Sequence, residues 1–363
     1  MTATLPHELS VWLEANAAKL DTSTAGADVL PRLAEAGLFR VGVPSVLGGT
    51  GGDVRGAVEA IAAVSRLSLA AGFVFWGHRT FIEYLLQSPS AALRDKLLAD
   101  LLAGRRAGAT GLSNAMKFLS GLEQLQVRAR RADLGFRIDG KLPWVTNLQP
   151  TGFDVAAAVE GNGHQPAFVI SLASEDAGLT RSPDLDLMAM RATSTAAVGL
   201  DNVRIGTERI LHPNASEWLP KVRPAFLGLQ CAMAIGLARR ALDEVRARLT
   251  GGRDILTAPT EALADDLAQV TAQLLADLPS DLFVERPAQL FRLRIRLAEI
   301  AADAVQLELS ATGGKAYLSA PGEGFQRRLR EVAFIPIITP SLVQLKTALD
   351  AHERPPLAVG ATA

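Results

Sequence analysis

Cysteine is nearly absent from this sequence, since Cys231 is the single one among 363 residues. One thiol can form neither a disulfide within the chain nor a cysteine-rich zinc site, so both are excluded. The five histidines are widely spaced, with no two within one helical turn, which excludes a histidine metal motif on a single helix. The sequence therefore predicts a protein that binds no metal.

Net charge and aromatic content are also low. The 37 basic residues nearly balance the 38 acidic ones, and aromatic residues make up 5% of the chain. Such a chain has little attraction for nucleic acid or an anionic membrane and few rings for base stacking. The first residues lack the features of a signal peptide, and no apolar run reaches the length of a spanning helix, about 18 residues. We therefore expect a cytoplasmic protein without nucleic-acid or membrane partners.

Helix-forming patterns dominate both ends of the chain. Apolar residues make up 48% of the sequence, and alanine and leucine, which favour helix, are frequent. Residues 7–40 predict two amphipathic helices with a break at residues 21–24. The glycines at residues 48–52 predict a plain turn, because Val54 stands where a dinucleotide-binding fingerprint needs its last glycine. Further helices are predicted over residues 53–70, 77–87 and 90–103.

Short strands are predicted between residues 105 and 210. Apolar side chains at residues 125–129 alternate with polar ones, as in a half-buried strand, and Asp139–Gly140 is typical of a turn. Two apolar segments on either side of residues 161–163 predict a hairpin. Regularly spaced strands over this range indicate a small β-barrel or sandwich.

Helix is predicted again after Pro224 and over residues 260–277 and 287–311. The last of these carries apolar residues at alternating spacings of three and four, which is typical of a helix in a bundle. This seam consists of Leu290, Leu293, Leu297, Ile300 and Ala304.

The sequence thus predicts a mostly α protein with a central β-domain. We expect an N-terminal helical domain over residues 1–104, the β-domain over residues 105–212 and a C-terminal four-helix bundle over residues 213–363.

Five local strings stand in a distinctive order along the chain. They are LAEAGLFRVGVPSVLGGTGG, GATGLSN, DGKLPWVTN, LMAMRATSTAAVGLDNVRI and TGGKAYLSAPGEGFQRRLRE. Together with the order of helices and strands, these strings resemble the acyl-CoA dehydrogenase family from about residue 8 to residue 350. The resemblance implies the family fold and a FAD cofactor shared between the subunits of a homodimer or homotetramer.

The resemblance also assigns residues to the flavin ring. Trp144 would stack on the ring, where a tryptophan contributes apolar burial and offset π contact, although from the residues alone it is equally a core tryptophan. Thr146 points to the same strand face as Trp144, and by resemblance its hydroxyl or backbone N–H serves flavin N5. Thr110 would meet the flavin pyrimidine. Ser113 and Asn114 would either reach the ring or the diphosphate, or cap their loop.

The adenine end of FAD is assigned less uniquely. Arg253 takes the place of the family's arginine that faces the partner subunit's cofactor, but Arg246 and Arg248 are alternatives, and a solvated arginine at a helix end is an equal reading. Gly313 and Gly314 match the family's diglycine, where missing side chains let the backbone approach the cofactor, or they cap the preceding helix.

The catalytic base of the family has no counterpart in this sequence. The usual glutamate, which takes the α-proton of a thioester, falls at Thr339 when counted from Arg330, and its alternative place in other members falls at about Phe226. A threonine cannot act as such a base at neutral pH. Glu323 and Glu331 are weak candidates, since both are close in sequence.

Three functions remain open at this point. The first is a FAD-dependent oxidoreductase that acts on an acyl thioester or related small molecule and works with an electron-transfer partner. The second is a flavin-dependent monooxygenase on the same fold, which uses O2 and flavin reduced by a flavin reductase, and must exclude water. Asn114, Asn147 and His78 are polar groups available to it, although His78 fits a core histidine better. The third is a non-catalytic binding protein.

Overall fold

The computed structural model describes residues 4–353, except residues 113–114, 116–117, 119–123 and 162–164. Eleven α-helices and two four-stranded sheets occur in these described residues, in the order helices, strands, helices. The predicted fold class is therefore confirmed, while the exact domain boundaries stay predictions.

Five helices precede the strands. They are α1 His7–Thr22, α2 Val29–Glu35, α3 Val54–Leu67, α4 Leu69–Leu86 and α5 Ala91–Leu102. Helix α4 begins at Leu69 and not at residue 77, because the Ser68 hydroxyl caps it by accepting a hydrogen bond from the Ala71 N–H. Nearly every residue of α4 is buried, as expected for a helix that is apolar on all sides and surrounded by other elements.

Eight strands form the central part. They are β1 Ala107–Thr110, β2 Val127–Ala132, β3 Gly135–Val145, β4 Phe153–Val159, β5 Phe168–Ala173, β6 Leu179–Arg181, β7 Ala196–Ile205 and β8 Ile210–His212. The sheet orders are β1-β4-β5-β8 and β2-β3-β7-β6. Strands β4 and β5 pair in antiparallel fashion, which confirms the predicted hairpin.

The turn predicted at Asp139–Gly140 is wrong. These residues lie inside β3, and the chain turns between β2 and β3 at residues 133–134. The pairing of β3 with β7 shifts register between Ile138 and Gly140, and Gly140 has a φ of 143°. A glycine inside a strand often marks such an irregularity. The Asp–Gly pair therefore does mark a change in the backbone, but that change is a break in strand pairing and not a turn.

Six helices follow the strands. They are α6 Ala215–Arg246, α7 Thr257–Asp277, α8 Leu282–Glu285, α9 Pro287–Thr312, α10 Glu323–Phe334 and α11 Leu342–Glu353. Helix α6 begins well before Pro224, and both Pro220 and Pro224 lie inside it. The Asn214 side chain caps its first turn by accepting from two backbone N–H groups, and burial of Trp218 adds stability that offsets the hydrogen bonds the prolines lack.

The apolar seam of α9 is covered within the chain. Leu290, Leu297, Ile300 and Ala304 are fully buried, and α9 packs along α6. The seam therefore needs no second copy to cover it. Helix α6 is long and apolar enough to cross a membrane by length and composition, but 89% of its apolar window is buried inside the protein, which is typical of a core helix.

Candidate functional site

A cavity of about 580 Å³ lies where the N-terminal helices, the strands and the C-terminal helices meet. The end of β3 contributes Trp144, Thr146 follows directly after the strand, and the segment before β7 contributes residues 187–190. Phe226 of α6 and the segment after α10, which includes Thr339, form further parts of its wall. We call this space the central cavity.

Trp144 presents a largely uncovered ring to the central cavity. It is 62% exposed, so it is not a core tryptophan. Thr146 is 4% exposed and lines the same cavity, as the alternation of side chains along β3 predicts. A large exposed aromatic ring beside an apolar cavity offers a surface for a flat, partly apolar ligand.

Three threonine hydroxyls form a chain in the wall beside Trp144. The Thr146 hydroxyl donates to the backbone carbonyl of Thr193 at 3.2 Å and accepts from the Thr195 hydroxyl at 3.2 Å. The Thr193 and Thr195 hydroxyls are 2.8 Å apart. Because Thr195 gives its one proton to Thr146, Thr193 is the donor in that contact. The chain fixes the Thr146 side chain and leaves its oxygen one lone pair for a ligand.

Thr110, which also lines the cavity, is held by helix α4. Its hydroxyl lies 2.9 Å from the Tyr84 hydroxyl, and burial raises the pKa of Tyr84, so the phenol keeps its proton. Two residues earlier, the Gly108 N–H donates to Nδ1 of His78, whose Nε2 donates to the Leu101 carbonyl, each at 2.9 Å. His78 is fully buried and is therefore a core histidine that anchors β1.

Asn147 also helps to hold β1 in place. Its side-chain Nδ2 donates to the Gly108 carbonyl and its backbone N–H to the Thr193 carbonyl, each at 2.9 Å, and the residue is fully buried. Behind it, a Cβ at Gly77 would lie 2.9 Å from Cγ2 of Thr146, so glycine lets α4 pack directly against the cavity wall. Neither Asn147 nor His78 lines the central cavity.

A buried arginine positions the segment that carries Thr339. The Thr339 carbonyl accepts from Nε2 of Gln230 at 3.1 Å, and Oε1 of Gln230 accepts from Nε of Arg294 at 2.9 Å. Arg294 also donates to the Ile335 carbonyl at 2.7 Å, and burial lowers the pKa of its guanidinium. Its Nη1 has no hydrogen-bond partner within the described ranges. Arg294 is not among the site residues predicted from the sequence.

No Asp or Glu occurs among the described residues that line the central cavity. Both positions at which the family places its base, Thr339 and Phe226, do line it. The cavity therefore has the expected positions but no side chain of adequate basicity at either one.

The two weak candidates for the base lie elsewhere. Glu331 is buried, where it accepts from the Leu69 N–H at 3.2 Å and pairs with Arg327 at 2.7 Å. Glu323 is exposed in the first turn of α10. Neither side chain lines the central cavity, so the structure gives no support to the expectation that one of them is the base.

One ion pair joins three parts of the chain at the cavity. Oδ2 of Asp21, at the end of α1, accepts from Nε and Nη2 of Arg330 at 2.9 and 2.5 Å. Oδ1 of Asp21 accepts from the Met190 N–H at 2.9 Å. Arg330 and Met190 both line the cavity, and Asp21 is fully buried. A sequence pattern could not identify this pair, since 309 positions separate its partners.

The residues assigned to the adenine end come together on a different surface. Nη2 of Arg253 would lie 3.9 Å from a Cβ at Gly313, and Gly314 has open space around it. The side chain of Arg253 has no hydrogen bond or ion pair within the described part of the chain, whereas Arg246 and Arg248 are each paired with a glutamate. Of the three arginines, Arg253 is thus the one free to bind an anion. None of these residues lines the central cavity.

Ser113 and Asn114 lie outside the described residues. Their assignment to the ring or the diphosphate therefore stays a prediction.

Comparisons with known proteins agree with this architecture. The model of the acyl-CoA dehydrogenase N-terminal domain matches residues 11–105. Benzylmalonyl-CoA dehydrogenase of Aromatoleum aromaticum is 28% identical over 232 residues, which are 62% of this chain and 61% of that protein. The matched part spans about three fifths of the length of the first curated relatives.

Solved structures match over nearly the whole chain. A glutaryl-coenzyme A dehydrogenase superposes with a TM-score of 0.78 at 16% identity, covering 96% of both chains. A dibenzothiophene monooxygenase of Paenibacillus sp. A11-2 superposes with a TM-score of 0.75 at 17% identity, again covering 96% of both chains.

The helical, β and helical parts around one central cavity define a protein with the acyl-CoA dehydrogenase fold. The sequence relatives and the family model go further than the fold. Residues 11–105 match the family's N-terminal domain, and the curated relatives include acyl-CoA dehydrogenases, so the chain is similar in sequence to the acyl-CoA dehydrogenase family, as its five local strings predict.

Proposed function

We propose that the protein is a flavin-dependent oxidoreductase that binds FAD with the flavin ring in the central cavity. The observation that carries the proposal is the exposed Trp144 ring, which lies beside the buried hydroxyls of Thr146 and Thr110 in one apolar cavity. A flavin ring is flat and amphipathic, so it needs an aromatic or apolar face together with fixed polar groups. Bound FAD supplies two-electron redox chemistry to the site.

Different residues of the chain would bind different parts of FAD. Trp144 would pack against the flavin ring, and the hydroxyl chain fixes the Thr146 side chain so that it could bind the ring. Arg253 has an unpaired guanidinium next to the diglycine at residues 313–314, where it can bind a phosphate. This surface is separate from the lining of the central cavity, and the family resemblance implies a FAD shared between subunits, so we propose a homodimer or homotetramer.

The substrate class follows from the family. An acyl thioester or a related small molecule would enter the central cavity, and an electron-transfer partner would complete the reaction. The ordinary family reaction needs a carboxylate within hydrogen-bond reach of the α-proton, and the described cavity wall has none.

A second candidate function is favoured by that same observation. A flavin-dependent monooxygenase uses reduced flavin and O2 and needs an apolar lining around the flavin more than it needs a carboxylate base. The central cavity, with its aromatic side chains and no described Asp or Glu, meets this need. A dibenzothiophene monooxygenase also shares the fold, which shows that the scaffold can host such chemistry.

Flavin binding is tested first. The purified protein, supplied with FAD, should show the flavin absorbance spectrum, and Trp144→Ala should weaken FAD binding. Covering the exposed part of the ring is worth about 2 kcal/mol, or roughly thirtyfold in Kd. Leu134→Ala is the matched control, since Leu134 is 93% exposed in the same β part and does not line the cavity. Unchanged affinity and spectrum in Trp144→Ala would show that the ring lies elsewhere.

The reaction is tested on the FAD-loaded protein. Anaerobic addition of acyl-CoAs bleaches the flavin if the protein is a dehydrogenase. If the protein is a monooxygenase, chemical reduction of the flavin followed by addition of ¹⁸O2 and a candidate substrate puts ¹⁸O into the product. Failure of the purified protein to take up flavin, even after soaking, would support the third function, a non-catalytic binding protein.

A further inference from the structure

Four aromatic side chains form one continuous side of the central cavity: Phe73, Trp76, Phe226 and Phe334. Phe73 and Trp76 are stacked, with ring centroids 5.3 Å apart and planes 8° apart. Phe334 meets Phe73 edge-on at 4.8 Å, and Phe226 meets Trp76 edge-on at 5.4 Å. We call this side the aromatic wall. Because aromatic rings attract further rings in stacked and edge-on geometries, it favours a ligand that carries a ring.

The positive charge that lines the cavity is balanced by a buried carboxylate behind the cavity wall. Arg330 is the one charged residue among the described lining residues, and 31% of its side chain is exposed. Both of its contacts to Asp21 go to one carboxylate oxygen, and Asp21 is fully buried. A cation with a buried carboxylate directly behind it presents little net field to the cavity.

We propose that the central cavity selects an uncharged, ring-bearing group, and that Asp21 sets this preference by masking Arg330. This inference rests on the proposed function, since it names the part of the substrate that the same cavity holds. An anionic group in the cavity would lose its hydration and find no unpaired cation within the described wall, so its binding is disfavoured. An uncharged ring loses little hydration and gains the aromatic wall.

Asp21→Asn removes the mask with the least change of shape. The amide oxygen can still accept from the Met190 N–H, so that link is kept. The negative charge is gone, and the amide nitrogen is a donor that repels the guanidinium. Arg330 is then free to turn toward the cavity and bind an anion there.

Matched probes measure this change by calorimetry on the FAD-loaded protein. They are 2-naphthamide, which is neutral, 2-naphthoate, which has the same ring and an anionic group, and decahydro-2-naphthamide, which is neutral but saturated. The wild type should bind 2-naphthamide about tenfold more tightly than 2-naphthoate, and more tightly than the saturated amide. Asp21→Asn should tighten 2-naphthoate about tenfold and leave 2-naphthamide unchanged.

A double variant provides the control. Asp21→Asn combined with Arg330→Gln has neither charge, so the wild-type preference for the neutral probe should return. If Asp21→Asn does not fold, Arg330→Gln alone serves, because it leaves the Asp21 charge unbalanced and should weaken 2-naphthoate further.

Three results would overturn the proposal: an unchanged probe ratio in Asp21→Asn, a double variant that keeps the tightened 2-naphthoate, or equal binding of the aromatic and saturated amides. The same probe titrations are also run on protein to which no FAD has been added. Failure of FAD to bind would therefore refute the proposed function, while the probe ratios would still decide this inference.

Discussion

Lowering the pH from 7.5 to 5 should destabilise the protein through one buried side chain, His78. The neutral ring accepts from the Gly108 N–H and donates to the Leu101 carbonyl, so both nitrogens are satisfied. Protonation would place a second N–H against the Gly108 N–H in a fully buried site. Burial lowers the pKa of His78 to about 4, and the adjacent charge of Arg79 acts in the same direction.

The size of the effect follows from the two pKa values. The unfolded chain regains the ordinary histidine pKa of 6.5, so between pH 6.5 and 4 it binds a proton that the folded protein does not. The free energy of unfolding is therefore fully retained above pH 6.5 and falls as the pH drops toward 4. The whole difference is worth about 3 kcal/mol, and about 2 kcal/mol of it is lost by pH 5.

Urea unfolding followed by circular dichroism, at pH 7.5 and pH 5, measures this loss in the wild type and in His78→Gln. The variant is less stable at both pH values, because a glutamine cannot reproduce both backbone contacts. Every other side chain is common to both proteins, so the difference between the two pH dependences isolates His78. The wild type should lose about 2 kcal/mol more than the variant. Equal losses, or an imidazole that nuclear magnetic resonance shows protonated at pH 5, would refute the reasoning.

Three further predictions concern the active protein. Wild type should catalyse little α,β-dehydrogenation of simple acyl-CoAs, and Thr339→Glu should add acyl-CoA-dependent flavin reduction, since a general base contributes about 10²–10⁴-fold. Robust wild-type activity would show instead that another carboxylate reaches the α-carbon. Arg253→Ala should weaken FAD binding about tenfold, and the ion-paired Arg246 is the control, so an equal effect of Arg246→Ala would contradict the assignment. Sedimentation at micromolar concentration should show a dimer or tetramer, and a monomer alone would argue against a shared FAD.

Much of the fold could be predicted because it is encoded locally. The spacing of apolar residues in α9 and the segments that form the β4–β5 hairpin each indicated their element without knowledge of the rest. The start of α6 could not be found in this way. Pro224 is a strong local signal against a helix interior, but the Asn214 cap and the burial of Trp218 outweigh it, and burial depends on elements distant in sequence.

Some residues of the candidate site could be predicted from the sequence, and others could not. Trp144 and Thr146 share a strand face, so their meeting in one cavity follows from the period of a strand. Asp21 gave no such signal, because it lies in a polar break after α1 and its partner is close only in the folded chain. Arg294 did leave a signal, since it falls four residues after Leu290 on the apolar face of α9, where an unpaired charge is unexpected.

The two sides of the central cavity make different demands on chemistry. The β3 side can hold a flat ring whatever reaction follows, because binding and orientation are what a protein supplies to its cofactor. The side that contains Phe226 and Thr339 determines whether a substrate proton can be removed, and the described residues there include no carboxylate. Similarity to the family therefore constrains the cofactor-binding side of the cavity more strongly than the side on which the substrate reacts. If the described wall supplies the whole catalytic side of the cavity, dehydrogenation is slow for every acyl-CoA, whereas oxygenation of an uncharged ring needs the apolar, charge-masked cavity that the described residues form. The requirement for O2 thus separates the two reactions more sharply than a survey of substrates can.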